Sequence, residues 1–82
     1  MKISIQAPAP TDIPFDGYAA ALESSISETY AQALDIDDIE IVRADGIAVL
    51  FDGKASKSAE ARDIVSAARW FAKPGNITDY FA

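Results

Sequence analysis

Apolar and polar residues alternate one for one at the start of the chain, with Ile3 and Ile5 set against Lys2, Ser4 and Gln6. Successive side chains of an extended chain point to opposite faces, so this period of two predicts a half-buried strand from Met1 to Gln6. Pro8, Pro10 and Pro14 follow. They can neither donate to a ladder nor enter a helix interior, so residues 7–15 are expected to run across the surface. The period then changes. Tyr18, Leu22, Ile26, Tyr30 and Leu34 recur at every fourth position with Ala19 and Ala33 beside them, while Glu23, Ser24, Ser27, Glu28 and Gln32 fill the other side. That spacing predicts an amphipathic helix from Gly17 to Leu34 with Asp16 as its N-cap.

Asp35 to Asp38 turns the chain out of this helix, and Ile39 to Arg43 reads as a second strand. Ala44-Asp45-Gly46 predicts a hairpin, because Asp-Gly favours the positive φ that a two-residue turn needs. The return strand, Ile47 to Phe51, is apolar on both faces, which suits a central strand, and Asp52-Gly53-Lys54 ends it. Ser56 or Ser58 then caps a helix from Ala59 to Ala72, whose stripe is Ala61, Ile64, Val65, Ala68, Phe71 and Ala72. Lys73 suits the negative end of the helix dipole, and Pro74-Gly75 stops the helix. The tail from Asn76 to Ala82 keeps Ile77, Tyr80 and Phe81, and reads as either a docked turn or a mobile end. The order β-α-β-β-α predicts one α+β domain over residues 1–82. It is a two-layer sandwich, with a three-stranded, mainly antiparallel sheet, its third strand in the middle, and two helices on one face.

Charge changes the picture more than any motif. From Ile3 to Val42 there are eight acids (Asp12, Asp16, Glu23, Glu28, Asp35, Asp37, Asp38, Glu40) and no lysine or arginine, whereas from Arg43 onward six bases nearly balance five acids. Glu28 has no base four residues away, so its helix face lacks the usual paired support. A side so charged attracts cationic surfaces and repels nucleic acid and anionic lipid. With a net charge of −6 and no basic stripe, direct nucleic-acid binding is not expected.

Cysteine and histidine are both absent. This removes disulfides, thiolate nucleophiles, cysteine-ligated zinc and the usual proton shuttle near neutral pH. A single core in 82 residues supplies only about 3–5 kcal/mol. There is no secretory leader pattern and no apolar run long enough to span a membrane, so a cytoplasmic protein is expected. Asp35, Asp37, Asp38 and Glu40 crowd four carboxylates into six residues, but Ile39 and Glu40 stand where a calcium loop wants a ligand and a glycine. They read as a solvated turn, with no metal or cofactor expected. Surplus acids do not make a hydrolase pair, Ser24, Ser25 and Ser27 have no activating base, and Gly17, Gly46, Gly53 and Gly75 are scattered singly rather than forming a phosphate cradle. Trp70 is expected to pack into the core at the end of the second helix.

The chain is therefore expected to bind rather than catalyse. Its candidate partner-binding residues are Glu23, Glu28, Asp35, Asp37, Asp38 and Glu40, carboxylates spaced so that a Lys/Arg-rich protein surface can read them as phosphates. In size, charge and lack of a catalytic signature the chain resembles the small phage-encoded inhibitors of bacterial defence, anti-CRISPR proteins among them. That resemblance, one of profile, implies a partner with a basic nucleic-acid-binding groove and competition with DNA or RNA for it. The alternative is a small structural or assembly domain, a homodimer formed through Trp70, Phe71, Tyr80 and Phe81.

Overall fold

The alternating segment at the start of the chain forms β1 (Lys2–Ala7), the strand on which the sheet is built. In this computed structural model residues 1–8, 10, 13–30 and 33–81 are described. Asp12, and the expected passage of the first helix through Ala31 and Gln32, lie outside them, as does Ala82. After β1 come α1 (Phe15–Tyr30), β2 (Asp38–Arg43), β3 (Ala48–Phe51), β4 (Lys54–Ala55), α2 (Ala59–Phe71) and α3 (Asn76–Phe81). The described residues form an α+β domain with four strands and three helices, which corrects the expected three-strand, two-helix arrangement.

The sheet order is β2-β1-β3-β4. β1 pairs in parallel with β2, from Lys2↔Asp38 to Ala7↔Arg43, and antiparallel with β3, from Ile3↔Phe51 to Gln6↔Ala48. α1 is thus the crossover of a β-α-β unit, the kind of connection that parallel neighbours require. β1 and β3 are the two inner strands, so β3 is central, as its apolar composition predicts, but it shares that place with β1. The apolarity of β3 on both faces does not reflect burial on both, because the helices cover only one face of the sheet. Ile3, Ile5, Ala7 and Val49 point to that face and are buried, whereas Ala48 and Leu50 share the open face with Ser4 and Gln6.

The hairpin also lies elsewhere than expected. β2 and β3 do not pair, because β1 runs between them. Ala44 still donates its amide to Ala7 O at 2.9 Å, after which the chain crosses the end of β1 to reach β3. Gly46 has no positive φ. The true hairpin uses the second Asp-Gly pair. Asp52 and Gly53, at φ 52° and 80°, join β3 to β4 through a two-residue turn of the twist that hairpins favour. Asp52 also fastens this turn to the centre of the sheet: its amide donates to Lys2 O at 2.8 Å, and its Oδ1 accepts from the Lys2 amide at 2.8 Å.

Both longer helices cover the buried face, α1 against β2 and α2 against β3. α1 begins at Phe15, with the Pro14 carbonyl accepting from Gly17 and Tyr18. Asp16 therefore sits within the first turn, where its charge suits the helix dipole, and is not the N-cap. Ser58 does cap α2, its Oγ accepting from the Ala61 amide at 3.2 Å. Tyr18, Leu22 and Ile26 from α1 meet Ile64, Ala68 and Phe71 from α2 and the three inward residues of β1. Full burial of each large aliphatic side chain contributes about 1.5–3 kcal/mol.

The tail is helical. α3 packs on α1 and α2, burying Ile77 and setting the Tyr80 ring edge-on to Phe71 at 5.0 Å. Asn76 Nδ2 donates to Trp70 O at 2.6 Å and so closes the end of α2. Trp70 itself is 43% exposed, against expectation. It stands two residues after Ala68, about 200° around the helix from the buried stripe, so only its edge-on contact with Phe71 reaches inward. Among the described residues no helix is long and apolar enough to cross a membrane.

Candidate functional site

The six candidate carboxylates all belong to the β1-α1-β2 half of the domain or to the loop that joins α1 to β2. The topology explains this. A parallel crossover keeps β1, α1 and β2 together in space, so residues from one stretch of sequence stay in one half of the domain. The bases Lys54, Lys57, Arg62, Arg69 and Lys73 fall with β4, α2 and the turn after it.

Within that half the six do not form one patch. Glu23 and Glu28 are exposed on α1, but five residues of helix separate them by about 140° around the axis, so they look in different directions. Glu28 accepts from the Tyr80 hydroxyl at 3.4 Å, which links α1 to α3. Asp38 and Glu40 lie on the open face of the sheet, the opposite layer from the helices, since they alternate with the inward-facing Ile39 and Ile41 of β2. Asp35 and Asp37 occupy the loop before β2.

Several of these groups have partners inside the chain. The Met1 amino group donates to Asp35 O at 2.6 Å and to Asp37 Oδ2 at 2.7 Å, while the Asp37 amide donates back to Met1 O at 2.9 Å. The hydrogen bond it donates to the Asp37 carboxylate is the main reason that this amine is held above its ordinary pKa. Desolvation opposes the rise, and the charges of Asp37, Asp52 and Asp35 add to it. Lys2 lies directly opposite Asp38 in register, yet its Nζ reaches diagonally to Glu40 Oε2 at 3.3 Å. Both ends of that pair are half exposed, so it contributes at most about 1 kcal/mol. Among the described residues Glu23 and Asp38 have no ion-pair partner.

Asp38 and Glu40 thus form the part of the set that shares one surface. Around them the open face is made of Lys2, Ser4 and Gln6 from β1, Val42 from β2, and Ala48 and Leu50 from β3, a mixed polar and apolar floor with Val42 exposed at 42%. Sequence reasoning missed Lys2 as the neutraliser of Glu40. The clue was parity: Lys2 belongs to the same outward-facing set in its strand as Asp38 and Glu40 do in theirs, but using it requires knowing that the two strands pair.

The aromatic set expected to mediate self-association is divided. Phe71 is buried in the core and Tyr80 is half-buried against it, which leaves Trp70 as the exposed ring on α2. Among the described residues no group of three or more carboxylates converges as a metal site, and no pocket opens on the surface. Compared with known protein families, curated proteins and solved structures, the chain matches none of them.

Proposed function

We propose that the protein is a non-enzymatic binding protein of the cytoplasm that presents carboxylates to a Lys/Arg-rich surface of a partner protein and competes there with nucleic acid. The observation that carries this reading is the run of eight acids without a base from Ile3 to Val42, flanked by Lys2 and Arg43 at the ends of β1 and β2. Asp35, Asp37, Asp38 and Glu40 form its densest part, and Glu23 and Glu28 extend the negative field over α1. A carboxylate facing an arginine or lysine across an interface makes a charge-assisted hydrogen bond, stronger than a neutral one and similar in geometry to a phosphate contact. The field also speeds encounter with a cationic groove and turns away anionic competitors. The resemblance in profile to phage-encoded inhibitors of bacterial defence fits such a partner.

Capture from a bacterial lysate, followed by elution with salt or with DNA, tests this directly. The expected result is a nucleic-acid-binding protein released by either treatment, and lost when Asp37→Lys and Asp38→Lys are combined. Reversing two charges should weaken the complex at least about tenfold, since close interfacial charge pairs couple by more than 1 kcal/mol. Capture unaffected by the double reversal sinks the proposal.

A further inference from the structure

β2 is an edge strand whose outer side carries no pairing strand among the described residues. Such an edge offers a row of amides and carbonyls to any extended chain, and folded proteins blunt it by shortness, proline, bulges or inward-pointing charges. Of these devices β2 uses only charge: Asp38 and Glu40 on the open face, and Arg43 at its end in line with Ile39 and Ile41. Its six residues hold unbroken register with β1, contain no proline, and point Ile39 and Ile41 to the apolar face. Those two isoleucines are only half-buried, although their register partners Ile3 and Ile5 are fully buried. The apolar layer therefore continues under α1 to the edge, where among the described residues it is covered less fully than at β1. On the other face the same strand displays Asp38 and Glu40 at alternate positions, Glu40 sharing its charge with Lys2 Nζ at 3.3 Å in an exposed pair that a partner's cation can join.

These three features specify an occupant: a chain that hydrogen-bonds along an edge, is apolar at every second residue, and is cationic at the residues between. We infer that the free edge of β2 takes an extended cationic segment of a partner protein as a fifth strand, its lysines or arginines facing Asp38 and Glu40 and its apolar residues covering Ile39 and Ile41. Strand addition is an established mode of peptide recognition, in which the backbone supplies affinity and alternate side chains supply specificity. The inference rests on the binding reading above and gives it a partner segment.

A second copy of this chain suits the edge less well. Two β2 strands joined antiparallel across a two-fold axis must oppose residues that share a face. Pairing centred on residue 40 sets Glu40 against Glu40, and pairing centred on residue 41 sets Ile39 against Arg43 and Glu40 against Val42. The first register opposes like charges, which is destabilising, and the second sets the apolar Val42 and Ile39 against charged side chains. The carboxylates that deter self-pairing are those that select a cationic strand.

The test is an NMR titration of the isotope-labelled full chain, at low salt, with a short end-blocked peptide of alternating lysine and valine. Residues 38–43 should carry the largest amide shifts, and Asp38→Lys with Glu40→Lys should weaken binding at least about tenfold, whereas Glu23→Lys with Glu28→Lys should change it little. Two N-methylated peptides decide the geometry. An added strand bonds through the amides of one alternate set only, so methylating the lysines or the valines, but not both, should weaken binding at least about tenfold, the loss of more than one hydrogen bond. Equal tolerance of both methylations, with binding still salt-sensitive, overturns strand addition and leaves the acidic-surface reading standing. No binding by any of the peptides also overturns it, and the lysate capture then judges the broader function separately. Concentration-dependent dimerisation with shifts confined to β2 would assign the edge to a second copy instead.

Discussion

Tyr18 is the largest side chain the fold buries completely, and its hydroxyl donates to Ala68 O at 2.9 Å, tying α1 to α2 across the core. Burial pushes its pKa up to about 12, because the phenolate would have to shed its water. A group whose folded pKa exceeds its unfolded value of about 10 stabilises the fold fully below pH 10, and that contribution drains away as pH rises toward 12, by about 1.4 kcal/mol per unit. Tyr18→Phe removes both the hydrogen bond and the titration. Ala68 O retains the Ala72 amide at 3.2 Å, so the variant leaves no buried acceptor bare and should lose only about 1 kcal/mol at neutral pH. Above pH 10 the difference from the parent should shrink. Tyr30 is raised as well, by partial burial, its hydrogen bond to Asp63, and the charges of Asp63 and Glu60. Comparing urea unfolding of parent and variant at each pH cancels that second contribution, and a gap that stays constant from pH 8 to pH 12 would contradict the assignment.

Elements whose signals are local were readable before the fold was known. The alternation of Ile3 and Ile5, the four-residue recurrence from Tyr18 to Ile26, and the Ser58 cap each depend only on neighbours in sequence. Pairing does not. Whether Asp45-Gly46 or Asp52-Gly53 makes the hairpin depends on which strand lies beside β3, and that was decided by the crossover that returned β2 to the far side of β1. The site divides in the same way: the residue types were legible, whereas the separation of Glu23 and Glu28 from the open-face pair Asp38 and Glu40 follows from the layer each occupies. The two Asp-Gly pairs therefore test the topology with opposite signs. Gly53 lies at φ 80° with nothing near its missing Cβ, so Gly53→Ala should cost about 1–2 kcal/mol from backbone conformation alone. Gly46 is equally open and has no positive φ, so Gly46→Ala should stabilise by about 0.4–1 kcal/mol through the unfolded chain. Thermal unfolding of both variants reads the two signs; a destabilised Gly46→Ala would restore the hairpin between β2 and β3.

A molecule of 31 × 26 × 19 Å with a net charge of −6 is small beside the range of its own field at low salt. At 0.01 M ionic strength the screening length is about 30 Å, so every carboxylate feels every other, and at 0.1 M it is about 10 Å, so only near neighbours do. The two ion pairs among the described residues, Met1 with Asp37 and Lys2 with Glu40, involve exposed carboxylates and return little against that repulsion. Potassium chloride should therefore raise the stability of the folded chain between these two concentrations, by on the order of 1 kcal/mol. The same salt should weaken binding to a cationic partner, since there it screens attraction. Urea is the right denaturant for measuring the first slope because it adds no ions. Glu23→Gln with Glu28→Gln, distant from the open face, should flatten the stability slope while leaving most of the binding slope, if a cationic strand is held by Asp38 and Glu40 as proposed. If salt instead destabilised the fold, local ion pairs would outweigh the acidic field, and the argument that this field is available to a partner would lose its physical basis.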